Sequence, residues 1–466
     1  MKRHTTRRNA LKAGLALSAI AALPACQTEK SLDADVIIMG AGLSGLYAAM
    51  LLEAEGLDVL VVEALPRVGG RMFTLNHDGG FTEGGGQQIG ASYARLLDVA
   101  ATLNVPLYEQ TARGPDTGYF LNETWTTDTL TVPQFPAAFE STPPSSVLFR
   151  LLANEPGLES ADSWLTAPEA FDISAAQFLT ERGFSPDAQA LIERALNANQ
   201  LDTYSMLNLH RSWQLYKQSG GMGATQYVEG GSQRLPEAMA ASLKRPVIMN
   251  SPISAISVSN TDCKVQTQSR TYRAKHAVCT LPFPALQKIG GIIGASAVQR
   301  QAFAALPYTQ IMEVHMQSSA PFWEADQIGP SIWTDTELER VFANTDRTGA
   351  LNNFHTGWVN GEGVEAWMSK PDPKAAYADR LAALRPATRG AMNPLALIDW
   401  TAANPYAGGA YYHWKPGQAQ RFATDMGKSI GNLHFAGEHL GLLHTGMEAA
   451  MESGERAAID IIEGRV

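Results

Sequence analysis

Gly40, Gly42 and Gly45 stand in the spacing G-x-G-x-x-G, and Glu63 follows roughly 20 residues later. Those residue types at that spacing suit one task, the holding of a dinucleotide. The first glycine permits a tight turn, the second lets the backbone approach a pyrophosphate, and the third lets helix and strand pack closely. Leu43 and Ser44 would open the helix, whose free N–H groups and partial positive charge attract phosphate. Glu63, followed by Ala64, puts a carboxylate where an adenosine ribose offers unmodified hydroxyls, which disfavours a 2′-phosphorylated nucleotide.

The flanking pattern supplies the elements that must position these residues. Val36-Ile37-Ile38-Met39 is a short apolar run suited to a buried parallel strand, and Leu43, Leu46, Tyr47, Met50 and Leu51 repeat at helical spacing. Val59-Leu60-Val61-Val62 reads as a second strand that ends at Glu63. Strand, loop, helix, strand and acid together predict an α/β fold with a Rossmann-like nucleotide domain. NAD and FAD both use such a unit, so this motif does not choose between them.

Later segments do. Arg67-Val68-Gly69-Gly70-Arg71 resembles the second glycine motif of the flavin-containing amine oxidase superfamily, and Gly79 to Gly90, with Gly85-Gly86-Gln87-Gln88, is similar to that family's flavin-ring loop. Tyr227 to Gly231, Val278 to Pro282, Pro321-Phe322-Trp323, Asn404 to Tyr411 and Phe435-Ala436-Gly437-Glu438 resemble its later motifs, in family order. Thr445 to Ala458 looks like its terminal flavin-binding helix. The resemblance implies FAD, and a Rossmann-like FAD domain assembled from 33–95, 226–298 and 400–466. An α+β substrate domain would come from 96–225 and 299–399. It further implies that Gly70, Arg71, Gly85, Gly86, Gln87 and Gln88 contact the cofactor, that Ile253 binds adenine through its backbone, and that Glu438, after Gly437, meets the ribityl or phosphate region. The helix N-terminus at Gly446 and Met447 would face the pyrimidine end of the ring and stabilise negative charge there.

In this family a hydride moves from the carbon beside a neutral amine to flavin N5, so the protein's part is to orient the substrate and keep the cavity dry. Large aromatics are expected above the ring; Trp213, Trp323, Trp400, Tyr411, Tyr412 and Trp414 are candidates, with Tyr411 at the family's cage position. Three departures matter. Ala410 stands where monoamine oxidases carry the cysteine bonded to FAD, which implies non-covalent cofactor. Gly446 replaces their second cage tyrosine, so the cavity should be more open or filled by His444 or Trp213. Counting back from Pro321 puts Glu313 where the family usually has a lysine that assists reoxidation by dioxygen; His315 would share its strand face. Dioxygen, a cytochrome or a quinone is then the electron acceptor to be distinguished. An amino-acid substrate would need a cation for its carboxylate, for which Arg95, Arg113, Arg182 and Arg211 are candidates. Two other readings stay open: a desaturase or porphyrinogen-oxidase-like enzyme, and an FAD-binding lipoprotein without turnover.

Composition excludes other classes. With 45% hydrophobic and 18% charged residues, the 466-residue chain can bury a sizeable core, and three cysteines exclude a disulfide framework. Cys263 and Cys279 read as small buried hydrophobes, not a disulfide or metal site. Residues 1–26 read as an export signal. Arg7-Arg8 resembles a twin-arginine motif, and Leu23-Pro24-Ala25-Cys26 resembles a lipobox that would put a lipid on Cys26. That implies a periplasmic or cell-envelope protein that takes up cofactor before export. Without the five basic residues before Cys26, 31 basic face 46 acidic residues, a net charge near −15 that repels nucleic-acid phosphate and anionic membranes.

Overall fold

The computed structural model describes residues 32–110, 114–126, 130–218, 225–259 and 261–465. The segment 1–26, with its signal and Cys26, lies outside them, as does Arg113. Two sheets organise the described chain.

The first has six strands. Val59–Val62, Ala34–Met39 and Thr271–Cys279 run parallel side by side, with Val36 to Met39 in register with His276 to Cys279. Thr271–Cys279 also pairs with Cys263–Thr267 at its start and Leu433–Phe435 at its end, and Ile253–Val258 closes the far edge. Val36, Ile37, Ile38 and Met39 are all fully buried, because apolar layers cover both faces of this sheet. Ile37 and Met39 enter one layer and Val36 and Ile38 the other, as strand alternation requires. Its strands come from three separated stretches of the chain. Cys263 and Cys279 are free and buried within it, and burial pushes both thiols up to about 12.

Helix Leu43–Ala54 leaves the loop after the first strand and lies against helix Gly446–Ile462. Both contacts depend on backbone touching backbone. A Cβ on Gly45 would collide with the Gly40 carbonyl oxygen, and one on Gly454 with that of Ser44. Gly45 therefore does the packing task expected of the third glycine.

The second sheet has seven strands, with Met392–Trp400, Ile311–Ser318, Leu351–Asn360, Arg340–Thr345 and Ser331–Thr334 in antiparallel order. Thr117–Leu121 then pairs parallel with Ser331–Thr334, and Thr124–Thr126 completes the hairpin. One face packs Met312, Val314 and Met316 against Val364, Trp367, Tyr377 and Leu381 of two covering helices. The other face aligns Ile398, Glu313 and Trp358 across three neighbouring strands, with Ile311 paired to Trp400 one step along. Residues 147–218 contribute mostly helices, whose core reaches this sheet at Trp333.

Candidate active site

A cavity of about 650 Å³ runs from the glycine loop of the first sheet to the Glu313 face of the second. Every residue singled out above for cofactor contact lines it except Gly45, Gln87 and Gln88. Gly45 is occupied with helix packing. Gln87 and the exposed Gln88 lie between Gly86 and the bridge of Ile89 to Gln226.

The nucleotide end fits a dinucleotide. A Cβ on Gly42 would meet no atom within 4 Å, so the second glycine faces open space where a pyrophosphate could approach. Gly40, at φ 107°, has no room for a side chain because Thr280 packs against it. No side chain caps helix Leu43–Ala54, and its first residues line the cavity. Glu63, 7% exposed, accepts from the Ala41 N–H at 2.7 Å and the Leu65 N–H at 2.8 Å, one on each oxygen. Burial raises its pKa, and these N–H donors oppose the rise. Each oxygen keeps a lone pair for a ribose hydroxyl.

Two buried carboxylates fix the opposite walls. Arg71 Nη1 donates to Glu438 Oε1 at 2.8 Å and to the Ala410 carbonyl at 2.9 Å, while the Tyr412 N–H donates to the same Oε1 at 3.1 Å. Burial pushes the Glu438 pKa up, and Arg71 opposes it. Glu452 accepts from the Leu442 N–H at 2.8 Å, the His444 N–H at 2.9 Å and His444 Nδ1 at 3.3 Å. Burial alone would raise its pKa, but His444 and the backbone donors outweigh it and bring it to about 2. The turn before Gly446 is thereby tied to the helix that follows.

The other end is aromatic. Phe73, Trp358, Trp400 and Tyr411 line it, packed around Ile311, Ile398 and Ala407. Trp400 is locked by Nε1 donating to the Gly84 carbonyl at 2.8 Å, and Tyr411 by its hydroxyl donating to the Asn197 carbonyl at 3.2 Å. Burial pushes the Tyr411 pKa far up, so it stays a neutral phenol. Glu313 lines this end at 1% exposure. Its Oε2 has no hydrogen-bond partner, and His315 Nε2 stands 3.2 Å from it, out of hydrogen-bond alignment.

Several expected aromatics lie elsewhere. Trp213 stacks on Tyr216 at 5.1 Å and His444 turns to Glu452, so neither fills the space at Gly446; the nearest atom there is the Tyr93 hydroxyl. Trp323 packs with His355 on the far side of the second sheet. Trp414 is buried beside Trp164, and the Tyr412 hydroxyl accepts from Arg211. Arg95 is paired with Glu448 and Glu455, Arg182 with Glu155, and Arg211 with the Gly441 and His444 carbonyls. None of these three lines the cavity. Phe73, Trp358 and Thr280 were not singled out. Trp358 could have been found only from the cross-strand register that sets it beside Glu313.

A parallel-sheet nucleotide cleft opening onto a buried aromatic chamber is the arrangement of a dinucleotide-dependent oxidoreductase, and the family match makes the dinucleotide FAD. The family model for flavin-containing amine oxidoreductases matches residues 43–462, and the chain belongs to that family. An L-amino-acid oxidase of Siganus canaliculatus is 28% identical across 91% of this chain and 85% of its own length. Flavin-containing amine oxidase A of Bos taurus is 25% identical across 92% and 85%. Among solved structures, a putrescine oxidase variant superposes with TM-score 0.75 at 22% identity, covering 93% of this chain and 99% of its own. Cyclohexylamine oxidase from Brevibacterium oxydans IH-35A gives 0.75 at 23% with the same coverage. These two likenesses establish the fold.

Glu452→Gln is expected to destabilise the protein by about 3 kcal/mol at pH 7. The folded-state pKa is depressed from 4.5 to about 2, so this stabilisation is present above about 4.5 and lost as pH falls toward 2. Thermal melts of both proteins across that range should show the gap closing; a gap that stays constant would disprove the assignment.

Proposed function

We propose that the protein oxidises a small-molecule amine at the aromatic end of the cavity. The continuity of that chamber with the nucleotide cleft is the observation that carries this reading. Bound FAD supplies the hydride acceptor, flavin N5. Glu63, the Leu43 helix terminus, Glu438 and the Gly446–Met447 terminus would hold the cofactor. Trp400, Tyr411, Trp358 and Phe73 exclude water and orient the carbon beside the nitrogen, and the first three rings also attract a cationic headgroup. The imine product would hydrolyse to an aldehyde or ketone plus ammonia or a smaller amine. Arg95, Arg182 and Arg211 do not line the cavity, but Arg67, Arg71 and Lys288 do, so amines with and without a carboxylate belong in the same test panel.

Ala410 lines the cavity where a cysteine would be needed for attachment, and neither Cys263 nor Cys279 lines it, so FAD is held without a covalent bond. A buried acid at Glu313, in place of a lysine, favours an envelope electron carrier over dioxygen. The basic, twin-arginine-like leader and Cys26 argue for a periplasmic or envelope location, with a lipid on Cys26 as the anchor. Fractionation of cells expressing the Arg7→Lys, Arg8→Lys chain should find it retained inside; normal export would rule this out.

The main test is anaerobic titration of the yellow protein with a panel of amines, followed by air. One amine class should bleach the flavin, colour should return slowly in air, and acid should release free FAD. Failure of every amine to bleach it would sink the reading, rapid recovery would remove the case for a carrier, and flavin retained on the denatured chain would overturn non-covalent binding.

A further inference from the structure

Glu313 is an acid with an unusual setting. It is 1% exposed on a strand of the second sheet, it lines the aromatic chamber, and its Oε2 lacks any hydrogen-bond partner. An unpartnered buried carboxylate is costly unless something at the site answers it. Trp358, Trp400 and Tyr411 line the same chamber, aromatic surroundings that attract an alkylammonium, whereas the Phe73 ring already carries the Arg67 guanidinium at 3.8 Å. A small amine arrives in water mostly as the ammonium, whereas hydride loss from the adjacent carbon needs the nitrogen lone pair.

We propose that Glu313 takes the proton from the bound substrate ammonium, with His315 as the second acceptor behind it. This rests on the amine-oxidising reading above. One N–H bond breaks, its electron pair stays on nitrogen as the lone pair, and an O–H bond forms on the carboxylate. The proton then passes to His315, whose Nε2 lies 3.2 Å from Oε2 and must turn into line with it, which makes an imidazolium and restores the carboxylate. Redox state does not change in either transfer. Thr356 Oγ1 stands 3.4 Å from the other ring nitrogen, His315 Nδ1.

The neighbouring groups leave this task to the pair. On the adjoining strand, Arg340 is paired across from Trp358 and stays a cation, donating to the Ala195 carbonyl and to Asn197 and Asn360. Tyr411 is a neutral phenol. From the hairpin Thr74–Glu83, His77 and Glu83 face His315; His77 is engaged with Thr82, and Glu83 with Thr74 and Ser232. Glu438 is held by Arg71. Asp399, also at the cavity, is the competing acid, with Oδ1 unpartnered, but strand alternation points it to the opposite sheet face from Glu313.

Calorimetric binding of cumylamine tests this, because its nitrogen-bearing carbon has no hydrogen to lose. Titration of the FAD-loaded protein near pH 7.5, in buffers of different ionisation enthalpy, counts protons released per amine bound. The wild type should release none, and infrared difference spectra should show a new protonated-carboxyl band or an imidazolium signal. Glu313→Gln should release about one proton and bind more weakly; Asp399→Asn should behave as wild type. One proton released by the wild type, no proton released by Glu313→Gln, release caused by Asp399→Asn instead, or no cumylamine binding would each overturn the proposal. The wild-type count and spectra stand even if Glu313→Gln does not fold. A panel of oxidisable amines that still bleaches the flavin would confine the failure to the proton step; a panel that never bleaches it would remove the amine reading itself.

Discussion

Arg71 and Glu438 meet at 2.8 Å, and the cavity depends on that contact. Arg71 follows the second glycine motif, Glu438 follows the last strand of the nucleotide sheet, and both also hold the loop that carries Ala410, Tyr411 and Tyr412. Three stretches far apart in sequence therefore converge on one buried charge pair. Removing either partner would strand the other charge at low exposure, a loss of order 3–5 kcal/mol. The pair acts as a registration device, setting the nucleotide cleft against the aromatic chamber.

Around that junction the two sheets have different duties. The first is apolar on both faces and presents backbone, with glycines where a cofactor or a second helix must come close. The second is apolar on one face and chemical on the other, because alternation along Ile311–Ser318 sends Met312, Val314 and Met316 to the core and Glu313 and His315 to the site side. The division lets one element be both a core strand and a wall of the chamber.

How much of this could be read in the chain follows the range of the interactions. Gly40 to Gly45 and Glu63 were legible as one unit because a tight turn, a helix terminus and a buried acid at the end of the second strand all lie within one βαβ segment. Glu313, Trp400 and Tyr411 were placed in the site through family resemblance, and the structure sets them around one chamber. Trp358 was not legible, since only pairing between distant strands puts it beside Glu313. Trp213 and His444 misled for the same reason: Tyr216 and Glu452, not the space at Gly446, decide where they lie. Gln87 and Gln88 share a motif with Gly85 and Gly86 but do not line the cavity, and they stand next to the bridge at Ile89.

The central claim is that a C–H bond beside an amine nitrogen breaks in the chamber bounded by Trp400, Tyr411 and Glu313. Anaerobic rapid mixing with an amine and its counterpart deuterated at that carbon measures this directly, through the rate of flavin bleaching. A several-fold slower rate with deuterium, together with a further loss of rate in Tyr411→Ala, is the predicted result. Equal rates for the two isotopologues across all concentrations, or a Tyr411→Ala protein as fast as wild type, would contradict it.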